Sequence, residues 1–336
     1  MNRDTGRRSW KNRAVLVTGA GGFIGSALVE LLVREGARVR AFTRYNSRGD
    51  IGHLDDIAAD AFDEVEIYSG DLQNTEAVHN AVAGCDTILH LGALIPIPYS
   101  YQHPREYLFA NIDGTINVLE AARRANIFRV VQVSSSEVYG TARALPITEL
   151  HSLNPQSPYA ATKVAADQLA LSYWRSFETP VVVARPFNAF GPRQSARAVI
   201  PTIITQALTR DRVELGSLSP TRDFTFVEDT ARALAASAYV DGIEGETFNV
   251  GTGEERSVGE IAAQILALVD RQLPVVTTTE RRRPPASEVE RLVADATRAR
   301  IVLGWSPMVP FTTGLERTID WIGRALDTYR PTVYSV

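Results

Sequence analysis

Tyr159 and Lys163 stand four residues apart in the stretch SPYAATKVAAD, residues 157–167. On a helix that spacing puts both side chains on one face. A lysine ammonium beside a phenol favours the phenolate and lowers the tyrosine pKa. The chain has 35 lysines and arginines together, yet Lys11 and Lys163 are its only lysines. The planar, permanently charged arginine fork is a poor substitute for a compact ammonium that helps relay a proton. Lys163 therefore reads as a position that needs lysine chemistry, against the plainer reading of a surface i,i+4 pair. Ser135, in VSSSEVYG, lies 24 residues before Tyr159. A hydroxyl there can hydrogen-bond a substrate hydroxyl and the tyrosine oxygen.

A second group of residues suits a phosphate. VTGAGGFIG spaces Gly19, Gly22 and Gly25 three apart, after an apolar run and before a helical one. One glycine allows a tight turn, one lets backbone approach a pyrophosphate, and one lets helix and strand pack closely. The helix N-terminus then faces the phosphates. At the end of the next strand an Asp or Glu suits a 2′-hydroxyl and an arginine suits a 2′-phosphate. This chain has Thr43 and Arg44, then Asn46, Ser47 and Arg48. The expectation is NADP, with NAD as the alternative and a solvated basic loop as the plain reading. Asp71 and Leu72, after the third strand, are expected at the adenine.

These residues need elements to hold them. AVLVTG (14–19), RVRAFT (38–43), VEIYSG (65–70), TILHLGA (87–93), RVVQVSSS (129–136) and VVVARPF (181–187) read as strands. Helical segments are expected at 23–35, 74–83, about 105–125 and 158–177. Short strands alternating with helices imply βαβ units: an α/β fold with a doubly wound parallel Rossmann sheet. After about residue 190 prolines loosen the rhythm, although FTFVEDTARALAASAYV and TFNVGTG add a helix and a strand to the first sheet. The expected domains are 12–190 with 224–251 for the dinucleotide, and 191–223 with 252–325 as a smaller interleaved α/β C-terminal substrate domain. Residues 1–11 are expected to be a disordered tail.

Composition narrows the class. A net charge of −4 offers no footprint for nucleic acid. No long apolar run predicts a membrane span. One cysteine and five scattered histidines predict no disulfide and no metal site. A cytoplasmic location is the default expectation.

The glycine loop, Ser135 and Tyr159-x-x-x-Lys163 together resemble the extended short-chain dehydrogenase/reductase family, over about residues 12–325. The resemblance implies NAD(P)-dependent chemistry on nucleotide-linked sugars, with the dinucleotide tightly bound and recycled. It also puts Phe23, Ile24, Leu91 and Ala93 against that dinucleotide. Glu137 bears on the subclass. A 4,6-dehydratase must remove the C5 proton after C4 is oxidised, which a carboxylate can do; a simple 4-epimerase needs no such group. Ser136-Glu137 is similar to the GDP-mannose dehydratase pattern rather than the Asp-Glu pair of dTDP-glucose dehydratases. The segments SSSEVYGTARALPI, NPQSPYAATKVAADQLA, RPFNAFGPRQSARAVIPTIITQ and SPTRDFTFVEDT resemble 4,6-dehydratases of the legionaminic-acid type, which act on nucleotide-linked N-acetylglucosamine. Enzymes that eliminate water across C5–C6 are also similar.

The resemblance implies a diphosphate site with an amide donor at Asn188 and bidentate arginines at Arg222 and Arg283. Arg197 is expected near the base or phosphate, and Asn249 at the crevice. Apolar positions on more than one side of the segments 105–125 and 158–177, such as Ile112, Ile116 and Trp174, leave a face for a partner, and the resemblance implies that the partner is a second copy, in a homodimer through a four-helix bundle. The alternatives are a 4-epimerase, a 5,6-dehydratase, and a non-catalytic dinucleotide sensor. The intact Tyr159, Lys163 and Ser135 argue against the sensor.

Overall fold

The structure, a computed structural model, describes residues 9–281 and 284–329. Its strands in chain order are β1 (Ala14–Thr18), β2 (Arg38–Arg44), β3 (Val65–Gly70), β4 (Thr87–His90), β5 (Arg129–Val133), β6 (Val181–Pro186), β7 (Asn188–Phe190), β8 (Val213–Leu215), β9 (Thr221–Phe226), β10 (Thr247–Val250), β11 (Glu255–Ser257), β12 (Val275–Thr277) and β13 (Arg291–Leu292). Seven of them form one parallel sheet in the order β3-β2-β1-β4-β5-β6-β10. The chain reverses its direction of growth between β1 and β4, where such sheets open a crevice at the strand carboxyl ends.

Alternation along each strand builds the two faces. Val15, Val17, Leu89 and Val131 pack under the helices Phe23–Arg34 and Val227–Tyr239. Leu16, Ile88 and Val130 pack on the opposite face under Thr75–Val82, Gly114–Ala125 and Pro158–Phe177. Each fully buried valine or leucine contributes roughly 1.5–3 kcal/mol relative to exposure.

The smaller C-terminal unit is built on β9. It pairs with β11 antiparallel and with β7 and β13 in parallel. Phe190, Phe224, Phe226, Ile203, Ile265 and Leu315 fill its core. Asp223, buried at 0% exposure, bolts this unit to the large sheet. Its carboxylate accepts from Thr252 N and Oγ1 at 2.8 and 2.6 Å, from Gly253 N at 2.8 Å and from Ala294 N at 3.1 Å. Burial pushes its pKa up, and these four donors pull it back. We expect Asp223→Ala to cost on the order of 2–4 kcal/mol, because it leaves four donors without their acceptor at once, the buried Ala294 N among them. Urea denaturation measures this, and a loss below about 1 kcal/mol contradicts the hub.

Two expectations change. Trp10 is not part of a loose tail: it is 2% exposed and packs edge-on against Tyr239 with ring centroids 5.8 Å apart. The expected helix over 105–125 is three pieces, Pro104–Tyr107, a π-helical turn Leu108–Asp113, and Gly114–Ala125. The wider turn carries Asn111 into the interior at 2% exposure. There its amide closes on Leu94 N and O at 2.7 and 3.0 Å and on Thr162 Oγ1 at 3.0 Å. Such π turns concentrate near functional sites.

Candidate active site

Register aligns the site. Thr18 pairs with His90, and His90 with Gln132, across β1, β4 and β5. The residues that follow therefore leave the sheet at one edge: the Gly19 loop, Leu91–Ala93 and Ser134–Glu137.

The glycine loop fits a dinucleotide diphosphate. Gly19 has φ +69°, and a Cβ there would lie 2.8 Å from Gly92 N. A Cβ on Gly25 would lie 2.2 Å from Gly19 O, so the helix can approach the strand only with glycine here. Gly22 is exposed and caps the helix Phe23–Arg34, with Phe23 and Ile24 opening it and no side chain closing its first turn. Its leading N–H groups thus face the crevice edge, as an anion requires. Beside the loop, Thr43 is buried with its hydroxyl unpartnered, and Arg44 is exposed, 3.9 Å from Asp71. Asn46 closes its own loop by accepting from Arg48 N and Asp50 N at 3.1 and 3.0 Å. Ser47 and Arg48 are exposed on that loop. Leu72 lies against Gly92, within 2.5 Å of where a Cβ would stand.

Ser157 starts the next helix by accepting from Ala160 N at 3.1 Å, with Pro158 in the first turn. That cap sets Tyr159 and Lys163 on the inward face, at 7% and 5% exposure. Ser135 caps the short turn Ser136–Tyr139, accepting from Glu137 N at 3.2 Å. Ser136 is buried and Glu137 half-buried. Burial pushes the Tyr159 phenol up to about 12; a hydrogen bond from Ser135 pulls it down, and the Glu137 and Asp167 carboxylates push it up. Ser135 is thus in hydrogen-bonding reach of the phenol, and the Glu137 charge acts on it through space.

Lys163 corrects the sequence reading. Its ammonium donates to Val133 O at 2.6 Å rather than turning to the phenol, and the Tyr159 pKa is raised, not lowered. Burial brings Lys163 down to about 8, with Asp167 pulling it up. Asp167, one turn further on and 0% exposed, anchors a buried chain. It accepts from Ser134 Oγ at 2.8 Å and Arg185 Nε at 3.0 Å. Arg185 donates to Tyr139 Oη at 2.9 Å, and Tyr139 donates to Asn249 Oδ1 at 2.7 Å. The i,i+4 spacing from Lys163 to Asp167 was a readable signal for this partner.

His90 carries another link. The Thr115 hydroxyl donates to Asn111 O at 2.7 Å, so at 3.2 Å from His90 Nε2 it can only accept. Nε2 therefore bears the proton, and Nδ1 accepts from Thr18 Oγ1 at 2.7 Å. Burial and the Lys163 charge drive the imidazole down to about 3, so it is neutral. It ties the end of β1 to the π turn. Nothing in its sequence context marked it.

The substrate-side residues separate. Asn188 lies at the start of β7 with its Oδ1 buried and unpartnered. Arg222 is in β9 at 7% exposure and 3.5 Å from Glu288. Arg197 is exposed but close enough for its charge to pull on Tyr107, which packs edge-on against Tyr159 at 6.3 Å. Asn249 is 0% exposed and committed to Tyr139, to Ile147 O at 2.9 Å and to Glu149 Oε1 at 2.8 Å, so it is interior framework rather than crevice lining. Arg283 lies outside the described residues. Among the described residues no group of His, Cys, Asp and Glu could hold a metal, and no helix is long and apolar enough to cross a membrane.

The chain matches a family described as GDP-mannose 4,6 dehydratase over residues 16–318. It is 32% identical to dTDP-glucose 4,6-dehydratase of Neisseria gonorrhoeae, covering 91% of this chain and 94% of that protein. It is 34% identical to UDP-glucose 4-epimerase of Mycolicibacterium smegmatis, covering 91% and 97%. It superposes on DesIV, a dTDP-glucose 4,6-dehydratase from Streptomyces venezuelae with NAD bound, at a TM-score of 0.85, 28% identity and coverage of 95% and 100%. A glycine cradle for a dinucleotide, a buried Tyr-Lys pair and matches along nine-tenths of the chain agree: this chain belongs to the GDP-mannose 4,6 dehydratase family, within the extended short-chain dehydrogenases/reductases that dehydrate or epimerise nucleotide sugars.

Proposed function

We propose that the protein dehydrates a nucleotide-activated hexose, UDP- or GDP-N-acetylglucosamine, to a 4-keto-6-deoxy sugar. The observation that carries this reading is Glu137, a carboxylate whose charge acts on Tyr159 from the turn that Ser135 caps. Bound at the glycine loop, NADP or NAD supplies a hydride acceptor at C4 and a hydride donor at C6. Tyr159 takes the 4-hydroxyl proton. Ser135 orients that hydroxyl, and Lys163 places a positive charge beneath the site. The C4 ketone acidifies C5–H; Glu137 removes that proton and returns one to the C6 hydroxyl, which leaves as water. Hydride then adds at C6, a solvent proton adds at C5, and Tyr159 gives its proton up to solvent. NADP is the preferred form on this reading, since Arg44 stands exposed at the end of β2. Tighter binding of NAD than NADP contradicts that preference.

A 4-epimerase is the second reading, favoured by the 34% identity to such an enzyme. Product analysis in deuterated water separates them. Wild type is incubated with UDP- and GDP-N-acetylglucosamine, with NADP and NAD added in turn. A 4,6-dehydratase exchanges the C5 proton and makes a C6 methyl. A 5,6-dehydratase gives an exocyclic alkene. An epimerised sugar with no label at C5 refutes dehydration.

Charge at Lys163 sets a pH limit. A base with a lowered pKa loses its proton as pH rises, so kcat/KM falls through about pH 8. Asp167 raises that pKa, so Asp167→Asn moves the limb to lower pH. An alkaline limb that stays in place in the variant contradicts the coupling.

We further propose a homodimer. Leu108, Phe109 and Phe177 are exposed on the two long helical segments, where a partner would cover them. Light scattering at micromolar protein should give twice the chain mass; a monomer rejects it.

A further inference from the structure

Residues 284–288 form a short bridge between the two units. Beyond it the chain is fixed to the small sheet: Glu290 O accepts from Thr221 N at 2.9 Å, and β13 runs beside β9. The bridge itself is fixed to the dinucleotide unit by side chains. Gln156 Nε2 donates to Ala286 O at 2.9 Å and Glu288 O at 3.3 Å, while its Oε1 accepts from Thr141 N at 2.5 Å. Ser287 Oγ donates to Gln156 O at 2.6 Å. That proton is then committed, so Tyr101, 2.6 Å from Ser287 Oγ, must donate to it. Tyr101 packs in the aromatic cluster around Tyr107 and Tyr159, and Gln156 is three residues from Tyr159. The latch thus sits beside the tyrosine that carries the proposed chemistry. One residue along, Glu288 reaches Arg222 at 3.5 Å, both largely shielded from solvent.

From this geometry we infer that residues 284–288 are a substrate-responsive strap. Tyr101, Ser287 and Gln156 hold it against the dinucleotide unit beside the Tyr107–Tyr159 cluster, and Glu288 is a resident counter-ion that a substrate diphosphate displaces from Arg222. The idea rests on the nucleotide-sugar reading above. Tyr101, Ser287 and Gln156 are positioning residues: they act through the strap. Glu288 is a competitor, since two anions on one guanidinium repel and compete for its donors. The two roles predict opposite signs. Loss of the latch lets the strap swing away, and nucleoside diphosphate binds more weakly. Loss of the Glu288 charge removes one competitor for the Arg222 guanidinium, and nucleoside diphosphate binds more tightly. The strap stays in place in the second case, because Gln156 grips the backbone carbonyls of Ala286 and Glu288 rather than the carboxylate.

Calorimetric titration of the full chain with UDP, dTDP and GDP tests this, with NADP titrated separately. Ser287→Ala and Tyr101→Phe should weaken diphosphate binding by roughly three- to tenfold, the change that one buried hydrogen bond commands. Ser287→Thr keeps the hydroxyl and should restore it. Glu288→Gln should tighten binding by a similar factor. NADP affinity should be unchanged throughout. Unchanged affinity in both latch variants overturns the strap, as does weaker binding in Glu288→Gln, which a merely structural contact would give. If wild type binds none of the three diphosphates, the nucleotide-sugar reading itself fails and the strap fails with it.

Discussion

Tyr159→Phe should slow turnover by roughly 10²–10⁴-fold, the range lost with a positioned proton-transfer group. The substitution removes one oxygen and little else. The ring keeps its edge-on contact with Tyr107 and its place in a buried cluster, so the variant should fold. The glycine loop follows β1 while Tyr159 stands on the helix Pro158–Phe177, so dinucleotide affinity should change little. The hydroxyl is nearly buried, and a hydrogen bond from Ser135 lowers its pKa. Ser135→Ala should therefore also slow turnover, and its loss should not add in full to that of Tyr159→Phe, because the two act on one proton. Steady-state rates with the substrate of the wild-type enzyme measure both. Near-normal turnover by Tyr159→Phe removes this residue from the chemistry.

The large sheet was legible because its strands obey a period. Val15, Leu16 and Val17 alternate faces, and the glycines after them can stand only where backbone meets backbone. The small sheet was not. Strands β7, β8, β11, β12 and β13 are two or three residues long, too short to carry a period, and their pairing depends on contacts distant in sequence. Asp223 is the centre of those contacts, yet in sequence it is an ordinary aspartate in TRDF. The π turn was likewise invisible: one widened turn leaves the apolar spacing of the flanking helices intact, and only the buried Asn111 betrays it.

Within the site, spacing told which side chains share a face but not which atoms they reach. Tyr159 and Lys163 are neighbours as the i,i+4 rule requires, but the ammonium finds a backbone carbonyl at the end of β5. Asp167 pulls its pKa back up against the burial that lowers it. Asn249 shows the reverse error: a polar residue at the end of a strand, facing the right edge, is consumed by Tyr139 and Ile147. Polar residues near a crevice divide into those whose bonds are filled by the fold and those left open. Asn188, with its buried Oδ1 unpartnered, falls in the second group.

Glu137→Gln should separate the two chemistries that relatives of this chain share. The substitution keeps the size of the side chain and the Glu137 backbone N–H that Ser135 accepts, so the turn should hold. It removes a negative charge that pushes the Tyr159 pKa up, so proton removal from the 4-hydroxyl should not suffer. Oxidation at C4 should therefore still occur. Without the carboxylate nothing takes the C5 proton efficiently, and the C6 hydroxyl stays. Reduced nicotinamide absorbance in the near ultraviolet should then build up on mixing with the nucleotide sugar, while 4-keto-6-deoxy product falls by roughly 10²–10⁴-fold. Deuterium from solvent should no longer enter C5. An epimerase would behave otherwise: it returns hydride to C4 without touching C5, so the variant would turn over at close to the wild-type rate with no lasting absorbance change. Rapid-mixing absorbance and the isotopic content of the product decide between them, and normal turnover in the variant rules out Glu137 as the base.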